Sequence, residues 1–208
     1  MSVAPEGSPA RLRTSPQQAR SQARIDAALD AATGILEREG IDAVTTTRVA
    51  SEAGMAVGSV YRYFPDRDAI LYALAARYLD DFTELVEGMV ELAGTETWDD
   101  PVGLLIDATA EVYRTRPGMR ALWFRVHHSE ELLEQDRAHT RLMGKALERI
   151  IVAQRIPYVG DLESACYACL LVTDVLMKEA FRENPEGDPG LLEQTKAILR
   201  AYLQSATR

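Results

Sequence analysis

The sequence predicts an all-α protein: a small N-terminal three-helix unit followed by a larger helical domain. Three observations carry this. Apolar residues recur at helical spacing along most of the chain, and no convincing strand pattern or internal repeat interrupts them. Strong breakers punctuate the helical runs, among them Gly40, Gly54, Pro65 and the run NPEGDPG at 184–190. Finally, residues 45–67 read as two short helices joined by a glycine turn, the helix-turn-helix pattern.

The elements follow in order. Residues 1–16 hold prolines, serines and a glycine without periodicity, and predict a disordered arm. In residues 17–39, Ile25, Ala28, Leu29, Ala32, Ile35 and Leu36 form one apolar stripe, and Gly40 stops the helix. Thr45 is placed to cap the next helix, whose inner face is Val49, Ala50 and Ala53, and Gly54 ends it. Val60 and Phe64 share a side of the run 57–64, which Pro65 closes.

Asp66 can cap a long connecting helix to about residue 91, with Ile70, Leu71, Leu74, Tyr78, Phe82, Leu85, Val86 and Met89 as its apolar positions. Residues 94–100 are expected as a loop. Helices at 101–114 and 117–127 each begin on proline, suited to a first helical position. Longer ones are expected at 129–154, 161–183 and 189–205. The expected domains are 1–16 (arm), 17–65 (helix-turn-helix unit) and 66–208 (helical body).

Composition bounds the function. A chain of 208 residues with 47% hydrophobic residues can bury a core. No apolar run approaches the roughly 18 residues of a membrane span. The first residues lack a signal-peptide apolar run, so a cytoplasmic location is expected. Cys166 and Cys169 are too few for a disulfide framework. The net charge of −9 argues against a general polyanion binder. Residues 1–67, however, carry eight arginines against eight acids, so the whole negative excess lies in the body.

The string AGMAVGSVYRYFPDRDAIL, residues 53–71, resembles the signature of the tetracycline-repressor (TetR) family of bacterial transcriptional regulators. Ala53-Gly54, Gly58-Ser59-Val60-Tyr61, Tyr63-Phe64 and Arg67-Asp68-Ala69-Ile70 carry the likeness, which spans about residues 17–78. The resemblance implies a homodimer, usually a repressor, that binds a palindromic double-stranded DNA operator and is released by a small, partly apolar effector. It also implies a reader at the N-terminus and dimerisation through the last two helices. The body matches only in length and helical content.

A recognition helix in a major groove presents its N-terminal residues to base edges. Here these are Val57, Gly58 and Ser59, which offer a methyl surface, close backbone approach and one hydroxyl. By the resemblance, Thr47 contacts bases, while Thr46, Tyr61, Tyr63 and Arg67 contact phosphates or neighbouring groups; Arg48 and Arg62 could add phosphate contacts. A cation such as Arg67 opposes the positive end of a helix in its first turn, a cost that a phosphate contact would explain. Ala56 departs from the usual capping residue before the recognition helix. Arg11 and Arg13 could extend an arm to the minor groove, although a solvated tail is the simpler reading.

In the body, Phe82, Met89, Tyr113, Met119, Trp123, Met143 and Tyr167, with Phe124 beside them, are either plain core or the wall of an effector pocket. The helix at 161–183 is apolar on more than one side and must be covered on more than one side. Val172 and Leu176 on it, with Ile198 and Tyr202 on the last helix, are therefore candidates for a two-fold interface. The Cys166-x-x-Cys169 pair suggests a thiol redox sensor or oxidoreductase as the alternative, against the simpler reading of two small residues on a buried face. His127-His128 points two ways on a helix and is no preformed ligand pair. No cofactor, no metal and no enzymatic activity are expected: there is neither a glycine-rich nucleotide loop nor a nucleophile with an orienting base. A helical adaptor without a DNA role is the third class.

Overall fold

The computed structural model describes residues 16–125 and 130–205, apart from some side chains beside 126–129 and at the N-terminus. The described residues form α1 (Pro16–Glu39), a 3-10 turn (Ile41–Ala43), α2 (Thr46–Glu52), α3 (Val57–Tyr61), α4 (Arg67–Thr95), α5 (Pro101–Thr115), α6 (Pro117–Arg125), α7 (Glu130–Ala153), α8 (Leu162–Ala180) and α9 (Pro189–Ser205). No strand occurs among them. The arm with Arg11 and Arg13, and His127-His128, lie outside the described residues, as does the side chain of Phe124.

Local chemistry sets the helix starts. Thr45 Oγ1 accepts from the Arg48 amide at 3.3 Å, and Asp66 Oδ1 accepts from the Ala69 amide at 2.8 Å. Asp100, Asp161 and Asp188 serve their helices in the same way. Gly54 follows α2 at φ 63, a conformation costly for any residue with a Cβ.

Tertiary contacts set several helix ends, and these differ from expectation. The connecting helix continues through Gly94 to Thr95 instead of stopping near residue 91. Its last carbonyls are capped from a distance: Gln154 Nε2 donates to Ala93 O at 2.8 Å and to Glu96 O at 2.7 Å. Likewise α8 ends at Ala180, three residues early, because Phe181 turns into the core and the Asp188 amide donates to Ala180 O at 2.9 Å. Gly187 is required there, since at φ 82 a Cβ would lie 2.8 Å from the Phe181 ring.

One apolar core runs through the chain. Ala28, Ala32, Ile35 and Leu36 of α1 meet Val49, Val60 and Phe64, and the same cluster continues through Ile70, Leu74, Met119, Leu122 and Met177 to Leu199 and Leu203. A second cluster joins Val90 and Ala93 of α4 to Ala146 and Ile150 of α7. In the body α7 packs along α4 and α8, and α9 along α8 and α5. The short α6 bridges α1 and α4: a Cβ on its Gly118 would lie 2.7 Å from the Tyr78 hydroxyl and 3.2 Å from Leu36.

Candidate nucleic-acid interface and internal cavity

The outer surface of the α2–α3 pair is built on buried anchors. Val49, Val60 and Phe64 fasten it to α1, leaving Val57 40% and Tyr61 49% exposed. Gly58 is exposed, with nothing within 4 Å of where a Cβ would stand, and Ser59 is half-buried beside it. Thr47 is exposed, its hydroxyl 3.2 Å from that of Thr45. Ala56 provides no side-chain cap to α3, as its residue type dictates. Thr46 is different: it is buried, and its hydroxyl donates to the Tyr61 hydroxyl at 3.1 Å, tying α2 to α3 from behind.

The arginines divide in two. Arg67 Nε donates to Val44 O at 2.9 Å and Nη2 to Ile41 O at 2.7 Å, with Asp42 Oδ1 3.6 Å away. A cation in the first turn of α4 thus has a sufficient reason inside the chain: it collects the carbonyls of the 3-10 turn. Arg48 makes a bidentate pair with Glu39 at 2.7 and 2.6 Å, which holds the Glu39 carboxyl below its usual range, and Arg38 pairs with Glu52 at 2.8 Å. Beside Tyr63 lie Ser21, Arg24 and Arg62. A hydrogen bond from Ser21, followed by the charges of Arg24 and Arg62, draws the Tyr63 hydroxyl below its ordinary value. Ser21 and Arg24 carried no sequence signal, because nothing local on α1 announces a partner some 40 residues onward.

Within the body lies a cavity of two neighbouring lobes. The first, about 110 Å³, is enclosed by Phe82 and Val86 of α4, Val102, Leu105 and Ile106 of α5, Leu147 and Ile150 of α7, and Leu199 and Leu203 of α9. The second, about 100 Å³, adds Tyr113, Met119, Trp123, His139 and Asp174, and the lobes share Phe82, Thr109, Met143, Leu170 and Thr173. Five of the expected pocket residues line it: Phe82, Tyr113, Met119, Trp123 and Met143. Met89 and Tyr167 do not. Met89 lies beyond Phe82 and Val86 on α4 and packs on the second apolar cluster, whereas the Tyr167 backbone lies against Gly144 of α7. On α8 it is Cys169, Leu170, Thr173, Asp174 and Met177 that line the void.

Both thiols are buried and free. Burial, reinforced by Cys169 and Glu148, pushes Cys166 up to about 12; burial also raises Cys169. Neither is a ready thiolate at neutral pH. Among the described residues no three His, Cys, Asp or Glu side chains group to hold a metal ion, and no helix is long and apolar enough to cross a membrane.

The outer faces of α8 and α9 are apolar. Val175 is 64% exposed, and Leu171, Val172, Ile198 and Tyr202 are exposed beside or across from it. Leu176, an expected interface residue, is half-buried, so Leu171 and Val175 are the more available positions.

Comparison with known proteins agrees with this anatomy. Residues 28–74 match the profile of bacterial regulatory proteins of the tetR family, and residues 97–203 match the tetracyclin repressor-like C-terminal domain. The HTH-type transcriptional regulator HbdR of Aromatoleum sp. (strain CIB) is 30% identical over 102 residues, 45% of this chain and 44% of that protein. The uncharacterized HTH-type transcriptional regulator YvdT of Bacillus subtilis (strain 168) is 27% identical over 90 residues, 43% of this chain and 45% of that protein. The chain thus spans less than half the length of these curated relatives. Among solved structures, a TetR-family transcriptional regulator from Streptomyces coelicolor is 27% identical with a TM-score of 0.64, covering 91% of this chain and 100% of that one. The multidrug binding protein EbrR, complexed with ethidium, has the same fold at 19% identity and a TM-score of 0.65, covering 91% and 99%. A reader with its recognition helix exposed, joined through one core to a helical body matched along its length, identifies this chain as a member of the TetR family of bacterial regulatory proteins.

Proposed function

We propose that the protein is a transcriptional regulator that binds a palindromic operator as a homodimer and is released by a small molecule held in the body cavity. Residues 17–65 act as the reader and 66–208 as the effector-binding and dimerising domain. Val57, Gly58, Ser59 and Thr47 meet bases; Tyr61, Tyr63, Arg62 and Arg24 meet the backbone, which sets register and not sequence. Thr46 and Arg67 act from behind that surface, holding its shape. The apolar faces of α8 and α9, including Val172, Val175, Ile198 and Tyr202, meet their own copies across a two-fold axis. Work on chromosomal DNA gives the protein a cytoplasmic location.

The observation that carries the reading is the continuity of one core from the recognition unit to the cavity wall. Helix α6 supplies Met119 and Trp123 to the cavity, while its Gly118 fits closely against Tyr78 and Leu36. An occupant that pushes α6 therefore loads α1 and α4, which carry the reader. It shifts the equilibrium by its differential affinity for the two forms and by no more. The capture of ethidium by EbrR, a chain of this fold, supports a ligand role for such a body. The thiol alternative finds no support, because both cysteines are buried and their thiolates disfavoured.

The test is fluorescence anisotropy on DNA fragments selected by the protein from a bacterial genome. Tight binding to a palindromic fragment, weakening steeply with salt, is expected. Equal affinity for every fragment, or none for any, overturns the reading.

A further inference from the structure

The hydrogen-bond bookkeeping of the cavity wall narrows the chemistry of the effector. Thr109 has one hydroxyl hydrogen, which goes to Leu105 O at 2.8 Å; that of Thr173 goes to Cys169 O at 2.8 Å. Thr83 likewise donates to Leu79 O at 2.8 Å, and its oxygen lies 3.3 Å from His139 Nε2. What Thr109 and Thr173 still offer a guest is oxygen lone pairs.

Asp174 adds a carboxylate to the same lobe. Lys178 Nζ takes its Oδ2 at 2.7 Å, but a carboxylate has about four acceptor sites. Phe82, Tyr113 and Trp123 complete that lobe with aromatic rings, whose faces are electron-rich. No Lys or Arg lines either lobe among the described residues. An anion would meet lone pairs and aromatic rings, with donors such as the Trp123 indole and the His139 ring to offset its desolvation. An ammonium group would meet acceptors. The other lobe, by contrast, is walled mostly by apolar side chains.

Resting on the effector reading above, we propose that the effector is an amine-bearing amphipath. Its ammonium nitrogen sits in the aromatic lobe and donates to Asp174 and to Thr173 or Thr109. Its apolar part enters the lobe between α5, α7 and α9. Each lobe, at about 110 and about 100 Å³, is smaller than the roughly 150 Å³ cavity that admits benzene, so a narrow chain fits better than a fused ring system.

The test titrates the full chain calorimetrically with octylamine, octanoate and 1-octanol at neutral pH, where the amine is cationic and the acid anionic. Octylamine is expected to bind at least about tenfold tighter than octanoate, with 1-octanol between. Asp174→Asn should lower octylamine toward the level of 1-octanol, with a much smaller loss for 1-octanol, whose hydroxyl can still donate to the Asn amide oxygen. The charge-neutral pair Asp174→Asn with Lys178→Met should do the same, which covers the case in which the single variant fails to fold. Octanoate binding as tightly as octylamine, or an amine preference that survives both variants, overturns the amine assignment and leaves the effector cavity standing. If none of the three binds, the cavity as effector site falls, and the amine assignment with it.

Discussion

Arg67 illustrates how one side chain changes meaning once its partners are known. Its two hydrogen bonds to Ile41 O and Val44 O make it a clamp on the segment between α1 and α2. Arg67→Ala should therefore lower the unfolding free energy by about 1.5–3 kcal/mol in a urea titration, the range for hydrogen bonds to a charged group. Arg24→Ala and Arg62→Ala should instead leave stability nearly unchanged and flatten the salt dependence of operator binding by about one log-log unit each. A salt slope that responds to Arg67 and not to Arg24 or Arg62 would return the phosphate contact to the start of α4. Cys166 supports a second expectation at this scale. Its ordinary value is 9.0 and burial lifts it to about 12. A thiol with a raised folded value contributes stability that is complete below the unfolded value and is lost as pH rises toward the folded one. The melting temperature should thus fall between about pH 9 and pH 12, and Cys166→Ala should shallow that fall. The folded protein should also resist a thiol-labelling disulfide reagent at pH 8.

Among the elements, α4 depends most on distant support. Its final turn passes through Gly94 without stopping there, and the carbonyls of Ala93 and Glu96 are met by Gln154 from just past α7. Gln154 Oε1 also accepts from the Trp98 amide at 2.8 Å, so one amide side chain closes both the helix end and the following loop. Gln154→Ala should raise hydrogen exchange at the amides of 92–98 and cost about 1–2 kcal/mol in global stability. Unchanged protection there would mean that the second apolar cluster, with Val90, Ala93, Ala146 and Ile150, suffices to hold the end of α4.

For the whole molecule, the exposed face of α8 and α9 is the proposed dimer contact. Leu171, Val172, Val175, Ile198 and Tyr202 present exposed apolar surface on two neighbouring helices. Surface of that kind is costly in a monomer and suits a contact with its own copy. Val175→Glu with Ile198→Glu should give a folded monomer by light scattering and lower operator affinity at least about tenfold, since one reader then loses its covalently independent twin. A dimer that persists with both charges in place would exclude this face.

Residue type and spacing alone determined a good deal. The helical class, the caps at Thr45 and Asp66, the turn at Gly54 and the exposed start of α3 all rest on short-range physics, in which a residue's own φ/ψ preferences and its neighbours within a turn suffice. The end of α3 does not follow: it stops at Tyr61, short of the expected stop at Pro65. The two-sided apolar character of α8 was equally legible, because periodicity reports how many faces need cover. Tertiary structure alone decided which aromatic and sulfur side chains share a void. Phe82 and Met89 lie two turns apart on one helix, yet only Phe82 reaches the cavity, because the void ends where α7 closes on α4. It also decided the partners of long polar side chains: Arg67 on a backbone 23 and 26 residues away, Gln154 on helix ends 58 and 61 residues away. A flexible side chain can reach several groups, and which one it meets depends on packing between segments that the local pattern does not encode.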